Sequence, residues 1–333
     1  MTNAPEDTGT SEGTHRIVVL DAINEASADR LRGLLPQGFT LTHATDRGDA
    51  HLAEIIADAD FAVSGQVAVS GDVLRAATRL HLLHKWGVGV DNLDVDTARE
   101  LGIKVARTTG SNAVPVAEFT IGLMIGALRH VAHGHHRLQN GEWRNWSNSS
   151  PLMLSGKTVG IVGFGAIGKN VARLLGGFGC DVLYNKPSRL NPAEEQRHGV
   201  RFAELDQLLA DSDVVSLHCP LTDATAGMID RDAFRRMKPT AVLVNVARGG
   251  VVAEPDLVWA LEQGEIHSAA VDVFDVEPLP ADSPLIGAPN LTLTPHLAAM
   301  AADNFVPTVN RMFENIRRVA NGEPLPEADV VVA

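Results

Sequence analysis

The sequence predicts an α/β protein made of two doubly wound parallel-sheet domains. Three observations predict it. Short apolar runs alternate with amphipathic stretches from end to end, the pattern of parallel strands with helices on their faces. A glycine-rich turn joins one such run to the helix that follows it. A chain of 333 residues, at about 150 residues per domain, suggests two domains.

The elements follow in order. Residues 16–21 (RIVVLD) are an apolar, β-branched run and read as a strand, with a helix over 27–35. Residues 52–57 are helical by spacing, and 61–64 (FAVS) form a short strand. A helix over 73–77 and a strand over 80–85 repeat the unit. Asp94 caps a helix running to Leu101, Gly102 ends it, and 103–106 is the next strand. The helix over 113–130 is apolar on most sides and therefore buried. Residues 133–155 hold turn formers with Trp143 and Trp146, and read as an arm and a domain seam. From Lys157 a second series begins, with strands over 158–162, 181–185, 214–218, 241–246, 269–273 and 291–294. A last helix over 297–319 is placed to return to the first domain.

Composition narrows the function. Apolar residues make up 45% and charged residues 21%, which excludes wholesale disorder. The net charge of −13 leaves no electrostatic footprint for nucleic acid or an anionic membrane, but a few local cations still suffice for a small anion. Two cysteines, Cys180 and Cys219, exclude a disulfide scaffold and a multi-cysteine zinc site, and no metal site is expected; reduced thiols in a cytoplasm are the simplest reading. Residues 1–14 lack a basic and apolar leader pattern and read as a flexible tail. No run of about 18 apolar residues occurs, so no membrane span is expected.

Gly163-Phe164-Gly165-Ala166-Ile167-Gly168 is a G-x-G-x-x-G turn. It follows the strand over 158–162, opens a helix over 169–178 and leads to the strand over 181–185, the context of dinucleotide binding. Gly163 permits the tight turn, Gly165 lets backbone approach a pyrophosphate, and Gly168 lets helix and strand pack closely. The helix N-terminus offers N–H groups to the phosphates. A ribose-binding carboxylate belongs about 20 residues on, at the next strand end. There the chain reads Tyr184-Asn185-Lys186-Pro187-Ser188-Arg189, with no carboxylate; Asp181 stands too early. Lys186 and Arg189 suit a 2′-phosphate, which favours NADP(H) and leaves NAD(H) open.

Three ionisable residues follow successive strands of the second series: Arg248, Glu277 and His296. Ligands of open α/β sheets bind beyond the carboxyl ends of strands. Reduction of a 2-oxo acid needs these types. A His donates a proton to the developing alkoxide, a carboxylate on its other nitrogen orients it, and an Arg binds the substrate carboxylate.

Together these residues resemble the D-isomer-specific 2-hydroxyacid dehydrogenases, the group of glyoxylate/hydroxypyruvate reductases, D-3-phosphoglycerate dehydrogenase and D-lactate dehydrogenase. The resemblance runs over about 60–315, through Gly87-Val88-Gly89-Val90-Asp91-Asn92, Val116-Ala117-Glu118, the glycine turn, Ser212-Asp213, His218-Cys219-Pro220-Leu221-Thr222, Asn245 to Gly250, Asp272 to Pro278, and Thr294-Pro295-His296. It implies Arg248, Glu277 and His296 as the catalytic set. It implies a substrate-carboxylate site at the Val88 and Gly89 amides. Asp272 is placed near the nicotinamide, and Cys219, Pro220, Thr225, Val246 and Ala247 among the cofactor contacts. The implied fold is a Rossmann cofactor domain (113–296) inserted in a flavodoxin-like substrate domain (15–112 plus 297–333), with hinge closure excluding water. The family is usually dimeric through the cofactor domain, and Trp143 and Trp146 suit such an interface.

The chain departs from the family pattern at Asn185-Lys186, which resembles NADPH-using reductases, and at Leu297-Ala298-Ala299-Met300 after the His. Ser64, Gly65, Gln66, Lys85 and Trp86 are candidates for the substrate rim. Trp86 would narrow it toward glyoxylate or hydroxypyruvate, or simply pack in the core. The expectation is a cytoplasmic, NADP(H)-preferring 2-oxo-acid reductase. Its alternatives are an NAD-dependent short phosphoglycerate dehydrogenase and a non-enzymatic, nicotinamide-sensing protein like the family's corepressors.

Overall fold

The computed structural model describes residues 15–143 and 150–333. The expected tail over 1–14 and Trp146 of the arm lie outside the described residues. The chain divides into two compact units, residues up to Ser111 with Ala302–Ala333, and Asn112–Ala301.

The first unit starts as β1 (His15–Ala22), α1 (Glu25–Arg32), β2 (Phe39–Ala44), α2 (Asp49–Ile56), β3 (Phe61–Ser64), α3 (Gly71–Ala76), β4 (Leu82–Lys85), α4 (Val95–Glu100) and β5 (Lys104–Arg107). These strands are parallel, in the spatial order β2-β1-β3-β4-β5. That is the flavodoxin-like doubly wound order. The continuous apolar run of β1 reflects burial on both faces: Ile17 and Val19 enter one core, Val18 and Leu20 the other. Asp94 caps α4 as expected, accepting from the Thr97 amide.

The second unit begins with α5 (Ala113–Arg129) and α6 (Val131–Gln139). It continues as β6 (Thr158–Val162), α7 (Ala166–Leu175), β7 (Asp181–Asn185), α8 (Pro192–His198), β8 (Val200–Phe202), α9 (Leu205–Asp211), β9 (Val214–Leu217), α10 (Arg231–Arg236), β10 (Val242–Asn245), α11 (Glu254–Gln263), β11 (Ser268–Val271) and β12 (Leu291–Leu293). Its seven strands are all parallel, in the order β8-β7-β6-β9-β10-β11-β12. The winding reverses between β6 and β9, the switch point where such sheets bind ligands. Strand residues alternate between two cores: Val242 and Val244 of β10 face α5, while Leu243 faces the other layer.

The chain then returns to the first unit as α12 (Phe305–Ala320) and β13 (Val330–Val332). Strand β13 adds to the sheet antiparallel to β5. It is locked by Asp329, which is fully buried. That carboxylate accepts from the Thr109 amide at 2.9 Å, Arg311 Nη2 at 2.7 Å and Asn315 Nδ2 at 3.1 Å.

Several elements differ from the expectation. β2, α8, β8 and β13 were not anticipated; β2 (FTLTHA) alternates apolar with polar residues and lacks a continuous run. The arm starts as helix α6, because His130 adopts a left-handed conformation (φ 54°) that ends α5 without stopping the coil. The last helix begins at Phe305 and not at 297. Residues 297 and 298 instead turn their amides to the Asp272 carboxylate, and Pro307 sits in the first turn of α12, where its missing N–H costs nothing. Among the described residues no single helix is long and apolar enough to cross a membrane; α5 and α6 pass that test only together, across a 62° bend.

Candidate active site

The glycine turn occupies the end of β6, at the switch point. Gly163 has φ +94°, and a Cβ there would lie 2.4 Å from the Cys219 amide nitrogen. Both facts demand glycine. A Cβ on Gly168 would lie 2.5 Å from the Gly163 carbonyl, so the third glycine lets α7 rest on the turn. Gly165 is different: a Cβ there would meet nothing within 4 Å, and its φ of −86° suits any residue. Nothing inside the unit requires that glycine, whereas a ligand lying on the turn does. No side chain caps α7, and Ala166 is exposed and Ile167 half-buried at its start. An uncapped helix N-terminus above an open glycine fits a pyrophosphate.

At the end of β7, Asn185 accepts from the Gly163 amide through its carbonyl at 2.9 Å and donates its side-chain amide to Ala203 at 2.9 Å. Lys186 is half-buried and makes no hydrogen bond or ion pair to another described residue; Ser188 is exposed beside it. Arg189 is exposed and pairs within the chain: its Nε and Nη2 donate to Glu195 at 2.8 and 3.0 Å. Glu195 faces back from α8 and also accepts from the Tyr184 hydroxyl at 2.8 Å, which fixes the pair.

Beyond β9, Cys219 is buried and burial pushes its thiol up to about 11, which leaves it without thiolate character. Thr225 donates to the Pro220 carbonyl at 2.6 Å and accepts from the Thr222 amide at 2.8 Å, bracing that loop.

The catalytic candidates follow β10, β11 and β12. After β10, Val246 and Ala247 are buried. The Asn245 side chain accepts from the Ala247 amide at 3.0 Å and donates to the Arg248 carbonyl at 2.9 Å. This bracket holds Arg248 half-exposed, with Nη1 donating to Ala247 at 2.7 Å. Gly249 lets the turn touch the next loop, since a Cβ would lie 2.0 Å from the Phe274 carbonyl carbon.

After β11, Asp272 is fully buried. It accepts from Thr294 Oγ1 at 2.6 Å and from the amides of Leu297 and Ala298, both at 2.8 Å. The His296 amide donates to the Asp272 carbonyl at 2.9 Å. His296 is thereby held at φ +52°, a left-handed conformation uncommon for a non-glycine residue and often found at functional sites. Its Nδ1 lies 2.6 Å from Glu277 Oε2, while Glu277 Oε1 accepts from the Phe274 amide at 3.1 Å. Burial raises the Glu277 carboxyl. The His296 hydrogen bond, the Phe274 amide and the charges of His296 and Arg248 outweigh burial and hold it below its ordinary value. A guanidinium, a carboxylate and an imidazole bound through one ring nitrogen thus follow successive strands.

In the first unit, Trp86, Val88 and Gly89 follow β4. Trp86 is half-buried and packs on Phe305 with ring centroids 6.0 Å apart. Among the described residues, neither the Val88 nor the Gly89 amide donates a hydrogen bond. Lys85 is buried; its ammonium donates to the Gly65 carbonyl and to Asn92 Oδ1 at 2.6 Å, so it braces the turn and does not face solvent. Asp21, not singled out in the sequence, accepts from the amides of Gly65, Gln66 and Val67. The only hint of it was a carboxylate ending an apolar strand. Asn245 was likewise visible only as part of a block.

Residues 121–298 match the model of the D-isomer specific 2-hydroxyacid dehydrogenase, NAD binding domain. A hydroxypyruvate reductase of Thermotoga maritima is 37% identical over 256 residues, 76% of this chain and 82% of that protein. A D-3-phosphoglycerate dehydrogenase of Archaeoglobus fulgidus is 32% identical over 94% of this chain but only 59% of that longer protein. Among solved structures, the NADPH-dependent glyoxylate/hydroxypyruvate reductase of Sinorhizobium meliloti superposes with a TM-score of 0.81 at 27% identity, covering 95% of this chain and 97% of that one. The glycine turn, the paired His and carboxylate and these likenesses agree: the chain belongs to the D-isomer specific 2-hydroxyacid dehydrogenases, oxidoreductases that work with a nicotinamide cofactor.

Proposed function

We propose that this protein reduces a small 2-oxo acid, glyoxylate or hydroxypyruvate, to its D-2-hydroxy acid with NADPH as the preferred cofactor. The observation that carries the reading is the 2.6 Å contact between His296 Nδ1 and Glu277, with Arg248 on the neighbouring strand end. The bound nicotinamide supplies the hydride. His296, tied to Glu277 through Nδ1, presents Nε2 and gives its proton to the developing alkoxide. Glu277 stabilises the charged imidazolium until that transfer and restores its orientation afterwards. Arg248 holds the substrate carboxylate and draws electron density from the carbonyl. In the first unit, taken by itself, the Val88 and Gly89 amides donate no hydrogen bond among the described residues and suit an anion.

Lys186 and the missing strand-end carboxylate support NADPH. The engagement of Arg189 by Glu195 favours the second reading, an NAD-dependent phosphoglycerate dehydrogenase activity. A matrix of initial rates separates the two: NADH and NADPH, each with glyoxylate, hydroxypyruvate, pyruvate, phenylpyruvate and 3-phosphohydroxypyruvate. NADPH with the two smallest hydroxylated or aldehydic acids is expected to lead. No turnover with any acid would remove the enzymatic reading and leave the cofactor-sensing one.

Self-association belongs to the same proposal. No residue of α6 is buried, and Val131, Leu138 and Trp143 are 58%, 57% and 73% exposed, an apolar strip suited to a second copy of the chain. Light scattering on the eluting protein is expected to give twice the chain mass, and a single-chain mass would exclude the dimer.

A further inference from the structure

A cleft on the second unit lies outside the residues assigned above. It is lined by Lys169, Asn170 and Arg173 of α7 and by Arg197 and His198 of α8. Lys169 and Arg173 are one helical turn apart and share a face. The opposite face of α7 is buried through Gly168, Val171, Ala172 and Leu175. The His198 ring stands edge-on to Phe164 at 5.7 Å, which ties this wall of the cleft to the glycine turn.

Charge distinguishes the cleft. Among the described residues, Lys169, Arg173 and Arg197 form no ion pair with a carboxylate. Elsewhere Arg137, Arg189, Arg231, Arg235, Arg311 and Arg317 each hold a carboxylate at 3.2 Å or closer, whereas Arg47, Arg129 and Arg201 also lack one among the described residues; the cleft is marked by three such cations lining one concavity. In a chain with 41 acidic and 28 basic residues, three cations lining one concavity without an acid paired to them are a local excess of positive charge. Helix dipoles explain part of this. Arg173 and Arg197 lie in the last turns of their helices, where cations are favoured. Lys169 does not fit that account. It follows the first turn of α7, near the positive end, with no acidic residue in that turn.

We propose that the cleft is a binding site for a phosphate monoester, with Arg173 and Arg197 as guanidinium donors and Lys169 as a fixed charge. Guanidinium groups match phosphate oxygens in pairs, and a dianion answers a local charge of +3 where a carboxylate of the chain does not. The phosphate is that of a free small metabolite, since the cofactor's 2′-phosphate is assigned above to Lys186 at the end of β7.

Inorganic phosphate is titrated calorimetrically into the full-length protein saturated with NADH, at ionic strength held constant with chloride. Saturable one-site binding is expected. Arg173→Ala/Arg197→Ala is expected to weaken it at least about ten-fold, as loss of two charge-assisted contacts implies. The Arg248→Lys variant is expected to bind phosphate as the wild type does, which separates the cleft from the substrate site. Repeating the titration with NADPH separates the cleft from the cofactor site: unchanged phosphate binding is expected, and competition by NADPH overturns the proposal. The double variant serves as its own folding control through an unchanged melting temperature in chloride. Absence of saturable binding, or equal binding by the double variant, overturns the site. Turnover is not the readout, so failure here leaves the proposed reaction standing.

Discussion

Glu277 and His296 follow neighbouring strands, β11 and β12, and are joined through one ring nitrogen, Nδ1, at 2.6 Å. That contact decides which nitrogen remains for substrate. Replacing His296 by Gln removes the proposed proton donor and keeps the backbone contacts to Asp272. The expected result is a loss of roughly 10²–10⁴ in kcat, the usual worth of a positioned acid. Cofactor affinity, followed by fluorescence titration, should stay within about two-fold because the glycine turn is untouched.

Glu277 also links this pair to pH. Its folded carboxyl lies below its ordinary value, so the stabilisation is present above the unfolded value and is lost as pH falls through the folded one. The Glu277→Gln variant lacks that contribution. Its melting temperature should fall below the wild type at neutral pH, and the gap should close on acidification below about pH 4. A gap that stays constant across this range would contradict the assignment.

Gly163 and Gly165 should respond in opposite ways to alanine. Gly163→Ala places a Cβ 2.4 Å from the Cys219 nitrogen at φ +94°, so a loss of about 2–4 kcal/mol in chemical unfolding is expected. Gly165→Ala meets nothing in the protein and should change stability by less than about 0.5 kcal/mol. Its KM for the nicotinamide cofactor should nevertheless rise about ten-fold or more, because the methyl group occupies the space of the pyrophosphate.

Lys186→Asp tests the cofactor preference. With Arg189 already bound to Glu195, Lys186 is the main cation left at the end of β7. The substitution supplies the missing ribose-binding carboxylate and should move the ratio of kcat/KM values toward NADH by at least about ten-fold. A wild-type enzyme equally fast with NADH would remove the premise.

Cys219 should prove unreactive. With its thiol pushed up to about 11 by burial, iodoacetamide at pH 8 should label it far more slowly than a free thiol, and activity should survive the treatment. Peptide mass mapping reads the extent of labelling.

Much of this was legible in the sequence for a physical reason. Strands buried on both faces are continuous apolar runs, so β1, β6 and β10 announced themselves, and residues just past β6 and β10 were among the candidates. Edge elements were harder. β2 alternates polar and apolar residues, and β13 is three valines whose partner, β5, lies over 200 positions earlier. The start of α12 was misplaced because Asp272 takes the amides of residues 297 and 298, a contact 25 positions long that local periodicity does not encode. The Arg189–Glu195 pair was hidden for the same reason: Glu195 is six residues away, and only the turn into α8 brings the two together. The bracing roles of Asp21 and Asn245 depend on backbone amides, which every sequence contains.

The edge strand β13 and its Asp329 clamp have a consequence for the order in which the protein is made. The five parallel strands of the first unit leave the ribosome early, yet α12, β13 and the Arg311, Asn315 and Asp329 network arrive only after the whole second unit has been synthesised. The second unit is contiguous in sequence and has all its strands before the first unit has its last helix. During translation the first sheet therefore exposes the core face meant for Val309, Met312 and Phe313 until α12 emerges. That face stays uncovered while the inserted unit is being made, and it is then that a holding chaperone would have it to hold.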